Sequence, residues 1–362
     1  MGGVCVVVLA GLAGAFIAFH PAEKPQTLPP PTYRGSSTGL RETVILATLD
    51  SPIPAGKSAI WCLGFELAWR KAREEIFKGP IRTKNGTVIS ERLNASSAQE
   101  EDVDPQSLVL AAGILSEGLE KRIQDEFRRK FPHAAMPVLD VPGDGLLSYA
   151  YLAVQVPFAL PFFENTNPLR FKSAEGVESA VRSFGIRRED DYAYFKLRNQ
   201  VSVLFSVESQ DGRHLEEFAV DPCRTSDPYQ LVLAVVPPQP SLADAVARVE
   251  RLAAQVKDSE SIGPNDTLLI PNLNWEIDHE FSELEGPLLN SAVSLVMARQ
   301  TLRFTLNRSG ADLAAEAKEL FLPIPRHFHF DRPFLIILRK RGAARPYFAM
   351  WVADEELLES MK

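Results

Sequence analysis

Hydrophobic positions recur with two different periods along the chain, and the change comes near residue 146. Before it the spacing is helical. In KSAIWCLGFELAWRKAREEIF, which begins at Lys57, Ile60, Leu63, Gly64, Leu67 and Ala68 share one face, and Trp61, Phe65, Trp69, Ala72 and Ile76 widen it. This spacing predicts an amphipathic helix ended by Gly79-Pro80. Residues 81–103 are polar and turn-rich. Asp104 followed by Pro105 then reads as the start of a second helix, with Leu108, Ala112, Leu115, Leu119, Ile123, Phe127 and Phe131 on its apolar face and Pro132 just past its end.

From Leu146 onward the period moves toward two. LLSYAYLAVQV, VSVLFSV, QLVLAVV, TLLIPNL, ARQTLRFTL, HFDRPFLIIL and PYFAMWV are strand-length runs, mostly bounded by Pro, Gly, Asp or Asn. One helix interrupts them: Ser241 caps SLADAVARVERLAAQV, whose Val246, Val249, Ala253 and Val256 share a face. There is no internal repeat. Helices first, then many strands joined by long connections, predict an α+β architecture rather than a βαβ winding.

Composition changes this picture in a few places. With 362 residues, 45% of them hydrophobic, the chain can bury a sizeable core, and residues 43–362 are expected to form a single domain. A net charge of −8, a pI near 5.4 and no Lys/Arg block remove the electrostatic footprint that phosphate contacts need, so nucleic acid is excluded as a partner. The opening MGGVCVVVLAGLAGAFIAF is apolar from Gly2 to Phe19 with no Lys or Arg before it. Residues 1–20 are therefore read as a signal peptide, for which Ala13-Gly14-Ala15 is a cleavage pattern, or as a membrane anchor that uses the whole stretch; a buried N-terminal segment is the third alternative. Residues 21–42, rich in Pro, Gly and Ser, read as a linker. These segments place the protein outside the cytoplasm, exported or membrane-anchored, and the membrane is a partner only if the first segment is retained. Cys62 and Cys223 could join in a disulfide there, although two buried free thiols are the commoner outcome. Sequons occur at Asn85, Asn94, Asn265 and Asn307.

Candidate chemistry is sparse. His327 and His329 alternate on a probable strand, so both side chains leave one face, as a two-histidine metal half-site requires; no third ligand is identifiable, and sheet-margin histidines are the commoner outcome. Glu189-Asp190-Asp191 and Glu100-Glu101-Asp102 sit in polar turns and read as solvated surface. No nucleophile elbow, phosphate-binding glycine loop or paired-cysteine motif is present. No catalytic residue, metal site or cofactor is assigned on this basis.

The segment RSGADLAAEAKELFLPIPRHFHFDRPFL, residues 308–335, stands out from its neighbours. As a strand it would turn Ala311, Leu313, Ala315 and Ala317 one way and Asp312, Ala314, Glu316 and Lys318 the other. As a helix it would align Leu313, Ala317 and Leu320. Both readings fit the residues. The longer stretch TLRFTLNRSGADLAAEAKELFLPIPRHFHFDRPFLIILRKRGAARPYFAMWV resembles the C-terminal part of a serpin. Gly310 and Ala311 match that family's hinge entrance, Ala314 and Ala315 its alanine run, and Asp331, Pro333, Phe334 and Leu335 the Asp/Asn-X-Pro-Phe-Leu signature of the returning strand. LSYAYLAVQVPFALPFFENTNPLRF, QLVLAVVPPQPSLADAVARVERL and LLIPNLNWEIDHEFSELEG are similar to earlier serpin segments, so the resemblance spans residues 146–353.

The resemblance implies a serpin-like α+β fold with mixed and antiparallel sheets, N-terminal helices and a reduced N-terminal half. It implies a hinge and reactive loop carrying Gly310, Ala311, Leu313, Ala315, Ala317, Leu320, Phe321 and Leu322, with the bait near 320–322, and a loop-return strand carrying Asp331, Pro333 and Phe334. A protease or another protein is the implied partner. Two features depart from the family: CLGFELAWRKA lacks the Phe-X-Ser-Pro-X-Ser segment that helps the central sheet open, and Leu313 and Glu316 replace small hinge residues. The expectation is an exported, non-catalytic, non-inhibitory protein acting through protein contacts. The alternatives are a protease inhibitor, and an enzyme or metal- or ligand-binding α+β protein.

Overall fold

Ser58–Cys62 and Leu108–Ile114, both expected inside helices, are strands, and this correction sets the frame of the molecule. The computed structural model describes residues 30–114, 117–136, 145–156, 158–187, 191–226, 228–257, 260–309 and 325–361. The apolar N-terminal stretch and the hinge and loop residues from Gly310 to Leu322 lie outside them, as do Leu115, Glu189 and Asp190.

The chain enters through β1 (Tyr33–Ser36), β2 (Thr43–Leu46) and β3 (Ser58–Cys62), which runs directly into α1 (Leu63–Lys71) and a wider helical turn over Ala72–Phe77. Then come α2 (Thr87–Ala95), β4 (Leu108–Ile114), α3 (Glu117–Lys130) and β5 (Leu146–Gln155). Four short strands follow: β6 (Phe163–Glu164), β7 (Leu169–Lys172), β8 (Glu178–Val181) and β9 (Ser183–Ile186). Next are α4 (Asp191–Gln200), β10 (Ser202–Glu208), β11 (Leu215–Asp221), β12 (Tyr229–Val235) and α5 (Leu242–Ala253). The last third carries β13 (Glu260–Ser261), β14 (Thr267–Pro271), β15 (Leu273–Glu280), β16 (Gly286–Pro287) and β17 (Ser294–Leu306). It closes with β18 (His327–His329), β19 (Phe334–Lys340) and β20 (Phe348–Val352).

Three larger sheets result. The first has the order β1-β15-β17-β5-β4, with β16 beside β17; the second is β13-β10-β11-β12-β19-β20-β3-β2; the third is β18-β14-β9-β6. β3 was misread as helix because it is a central strand, buried at all five positions between β2 and β20. A strand buried on both faces is an unbroken apolar run, which periodicity cannot separate from a buried helix. The second error has another cause. Asp104 does cap a helical turn, its carboxylate accepting the Gln106 N–H at 2.9 Å, but that turn ends at Ser107 and β4 pairs antiparallel with β5. The helical spacing seen across residues 108–131 belongs only to its second half, α3. The expected linker also gives its end to the folded body: β1 runs parallel to β15, and the Thr32 N–H donates to the Asn274 carbonyl at 2.7 Å.

α1 lies under the first sheet, where Gly64 permits close approach; a Cβ there would sit 3.2 Å from the Ala150 Cβ and 3.3 Å from Leu108 Cδ1. Glu66 ties α1 down by accepting from Trp61 Nε1 at 2.8 Å and from the Ser96 hydroxyl, and burial raises its carboxyl pKa. α3 covers the opposite face. Leu147, Tyr149, Tyr151 and Ala153 of β5 cluster with Leu119, Ile123 and Phe127 of α3, whereas Leu146, Leu152 and Val154 belong to the main core with Phe65 and Leu67 of α1. Burying a side chain the size of Phe127 contributes roughly 2–3 kcal/mol, which fixes α3 despite its polar sequence.

Candidate functional site

β17 and β5 pair in parallel through ten registered residue pairs, from Leu295 beside Leu146 to Thr305 beside Gln155. They are far apart in sequence and are flanked by antiparallel partners, β15 on one side and β4 on the other. This seam, together with the described residues that flank positions 310–324, is the candidate site.

Polar groups are concentrated along the seam. On the α3 face the Tyr149 hydroxyl reaches Thr301 Oγ1 at 3.3 Å, and Thr301 donates to Asp278 Oδ1 at 2.6 Å. Burial holds the Tyr149 phenol above its ordinary range, so it stays protonated. On the α1 face Cys62 Sγ lies 3.4 Å from Gln300 Oε1, and burial pushes the Cys62 thiol up to about 12. That value leaves almost no thiolate at neutral pH, and Cys223, also buried and raised, is equally inert; neither cysteine is in a disulfide. Ser148 Oγ and Gln300 Nε2 are buried on the same face without a hydrogen-bond partner. Leaving such groups unpaired costs about 1–3 kcal/mol each, so the seam carries a polar centre at a cost in stability.

The residues on either side of positions 310–324 are held differently. At the departing end the Phe162 N–H donates to the Arg308 carbonyl and Arg308 Nε to the Phe162 carbonyl, both at 3.0 Å. At the returning end Asp266 forms a clamp. Its carboxylate accepts the Arg326 backbone N–H at 2.7 Å and the guanidinium at 3.0 and 2.8 Å. The side chain of Asp266 is 3% exposed and that of Arg326 is 23% exposed. β18 then pairs parallel with β14. A small residue is needed beside this pair: a Cβ on Gly185 of β9 would fall 1.8 Å from the Leu268 carbonyl oxygen.

The expected site residues divide cleanly. Gly310, Ala311, Leu313, Ala315, Ala317, Leu320, Phe321 and Leu322 lie outside the described residues. Asp331 and Pro333 lie between β18 and β19, and Phe334 begins β19: the Asp331 carbonyl accepts the Lys172 N–H at 2.8 Å, and Phe334 is fully buried with its ring 5.3 Å from that of Phe330. His327 and His329 do leave one face, their rings 5.3 Å apart, and both bond the Thr267 hydroxyl at 2.8 Å. Burial lowers the His329 pKa to about 4. Among the described residues no group of three His, Cys, Asp or Glu side chains could hold a metal ion. Glu100-Glu101-Asp102 forms a surface turn, Asp102 accepting the Gln99 N–H at 3.2 Å. Asp266, Arg326, Arg308 and Gln300 were not identified in the sequence. Only the oppositely charged Asp266 and Arg326 carried any signal, and a separation of sixty positions hides it.

No family model and no curated protein matches this sequence. Solved structures do. SRPN18 from Anopheles gambiae superposes with a TM-score of 0.50 at 10% identity, covering 86% of this chain and 94% of that one. Uncleaved ovalbumin gives 0.48 at 11% identity, covering 83% and 94%, and native protease nexin-1 with heparin gives 0.45 at 10% identity, covering 82% and 92%. The chain has a serpin-like α+β fold, as the C-terminal motifs implied.

Proposed function

We propose that this chain is an exported, non-catalytic protein with a serpin-like fold that acts through protein–protein contact and keeps its first sheet closed. The observation that carries this reading is the β5–β17 seam, covered by α1 on one face and by α3 over β4 and β5 on the other, with Met297 of β17 in the α3 cluster. A segment joining the sheet there would be covered on at least one face along its length. Strand alternation assigns Asp312, Glu316 and Lys318 together to one face and Leu313 to the other. Burying unpaired charge is costly, and it offsets the backbone hydrogen bonds gained by insertion. Leu313 and Glu316, where the family resemblance implies small residues, work in the same direction.

Protein recognition by the exposed surface needs no insertion, so the loop would serve as a contact element rather than as a bait. Export rests on the apolar stretch at residues 2–19. Among the described residues no helix is long and apolar enough to cross a membrane.

The test is cleavage of the loop near Leu320–Leu322 by limited proteolysis, followed by thermal unfolding of the nicked chain. The expected midpoint stays within a few degrees of the intact protein. A rise of about 20 °C or more would show that the freed segment had joined the sheet, which returns the protein to the inhibitory class.

A further inference from the structure

We propose that the cavity between α3, the start of β1 and the outer face of the first sheet binds a small aryl-alkanoate, an aromatic ring carrying a carboxylate, with Tyr151 donating the central hydrogen bond. The cavity encloses about 400 Å3, within the usual range for small-molecule clefts.

Three cationic side chains, Arg34, Lys130 and Arg303, line it against one carboxylate, Glu276. Glu276 is already matched, with Arg34 Nη2 at 2.8 Å and Arg303 Nε at 3.9 Å. With Glu126 pairing Lys130, three cations face two carboxylates and the cavity keeps one net positive charge. Lys130 is held in place by the Leu108 carbonyl at 2.5 Å and by Glu126 at 2.7 Å, contacts that use two of the three donors an ammonium offers.

Tyr151 supplies the second, independent observation. It is 1% exposed, it lines the cavity, and its hydroxyl has no hydrogen-bond partner. A buried phenol in that condition is uncommon, and a ligand acceptor would supply the hydrogen bond it lacks. Burial and the neighbouring Glu276 carboxylate keep the phenol protonated, so toward a carboxylate it donates. The apolar half of the ligand is set by Phe131, whose ring centre lies 4.9 Å from that of Tyr151, with Pro31 and Pro132 beside it. A cation would meet the three positive side chains, and a purely apolar ligand would leave the phenol unsatisfied. An aromatic carboxylate answers both.

The experiment is calorimetric titration of the full chain at pH 7 with 1-naphthylacetate, and in parallel with the uncharged 1-naphthylacetamide. The acid should bind one equivalent, and the amide about tenfold more weakly or worse. Tyr151→Phe should weaken the acid about tenfold while leaving the thermal midpoint unchanged or higher, because it removes a hydroxyl that bonds to nothing. Arg34→Ala, on an exposed side chain, should weaken the acid with the fold intact and serves as the second variant. Absence of saturable binding, equal affinity for acid and amide, or wild-type affinity in Tyr151→Phe would each overturn the assignment. None of these outcomes depends on whether the loop at 310–324 inserts.

Discussion

Replacing Asp266 with alanine should release the chain where it rejoins the body. The carboxylate accepts two backbone N–H groups, from Gly263 and Arg326, each at 2.7 Å, as well as the two guanidinium contacts. Truncation strips these four interactions. An unsatisfied backbone N–H in a partly buried site costs about 1–3 kcal/mol. Breaking a fully buried ion pair costs about 3–5 kcal/mol, but Arg326 can turn toward solvent, so only part of that applies. The expected loss is about 3 kcal/mol for Asp266→Ala and about 1–2 kcal/mol for Asp266→Asn, which keeps an acceptor oxygen. A double-mutant cycle with Arg326→Ala should return a coupling of about 1–2 kcal/mol. Urea unfolding reads these numbers. Amide hydrogen exchange should also show His327–His329 losing protection first, since among the described residues β18 is an edge strand paired with β14. If Asp266→Ala lies within about 0.5 kcal/mol of wild type, or β18 exchanges no faster, the clamp is not what holds the returning strand.

Further outcomes are expected from the seam and its supports. Gly185→Ala should cost more than about 3 kcal/mol or prevent folding, because its Cβ would enter the Leu268 carbonyl; a soluble variant with a wild-type melting curve would refute that packing. Cys62 and Cys223 should react with a thiol reagent at pH 8 only after unfolding, and rapid labelling of the native chain would contradict their burial. Burial lowers His279 and His329 to about 4, below the unfolded value of about 6.5. Their neutral forms are favoured by folding, so their contribution is complete above pH 6.5 and is lost as pH falls toward 4, by up to about 3 kcal/mol each. Urea titrations at pH 7 and 4.5 on wild type and His329→Gln should show the variant with the shallower loss.

The strand runs after Leu146, the capped helix at Leu242–Ala253 and the apolar strand at Phe334–Lys340 could be read directly from the sequence. Local alternation, a capping serine and a proline-bounded strand carry their own signal, since each arises within a few residues. The boundaries at residues 58 and 108 could not, because apolar runs of that length fit a buried strand as well as a helix until a neighbour is present. Tertiary structure alone paired β5 with β17 in parallel across about 150 residues, closed Asp266 on Arg326 across sixty, and left the Tyr151 hydroxyl unpaired in a charged cavity. Those features depend on which distant groups meet, and a side chain's identity fixes its chemistry but not its neighbours.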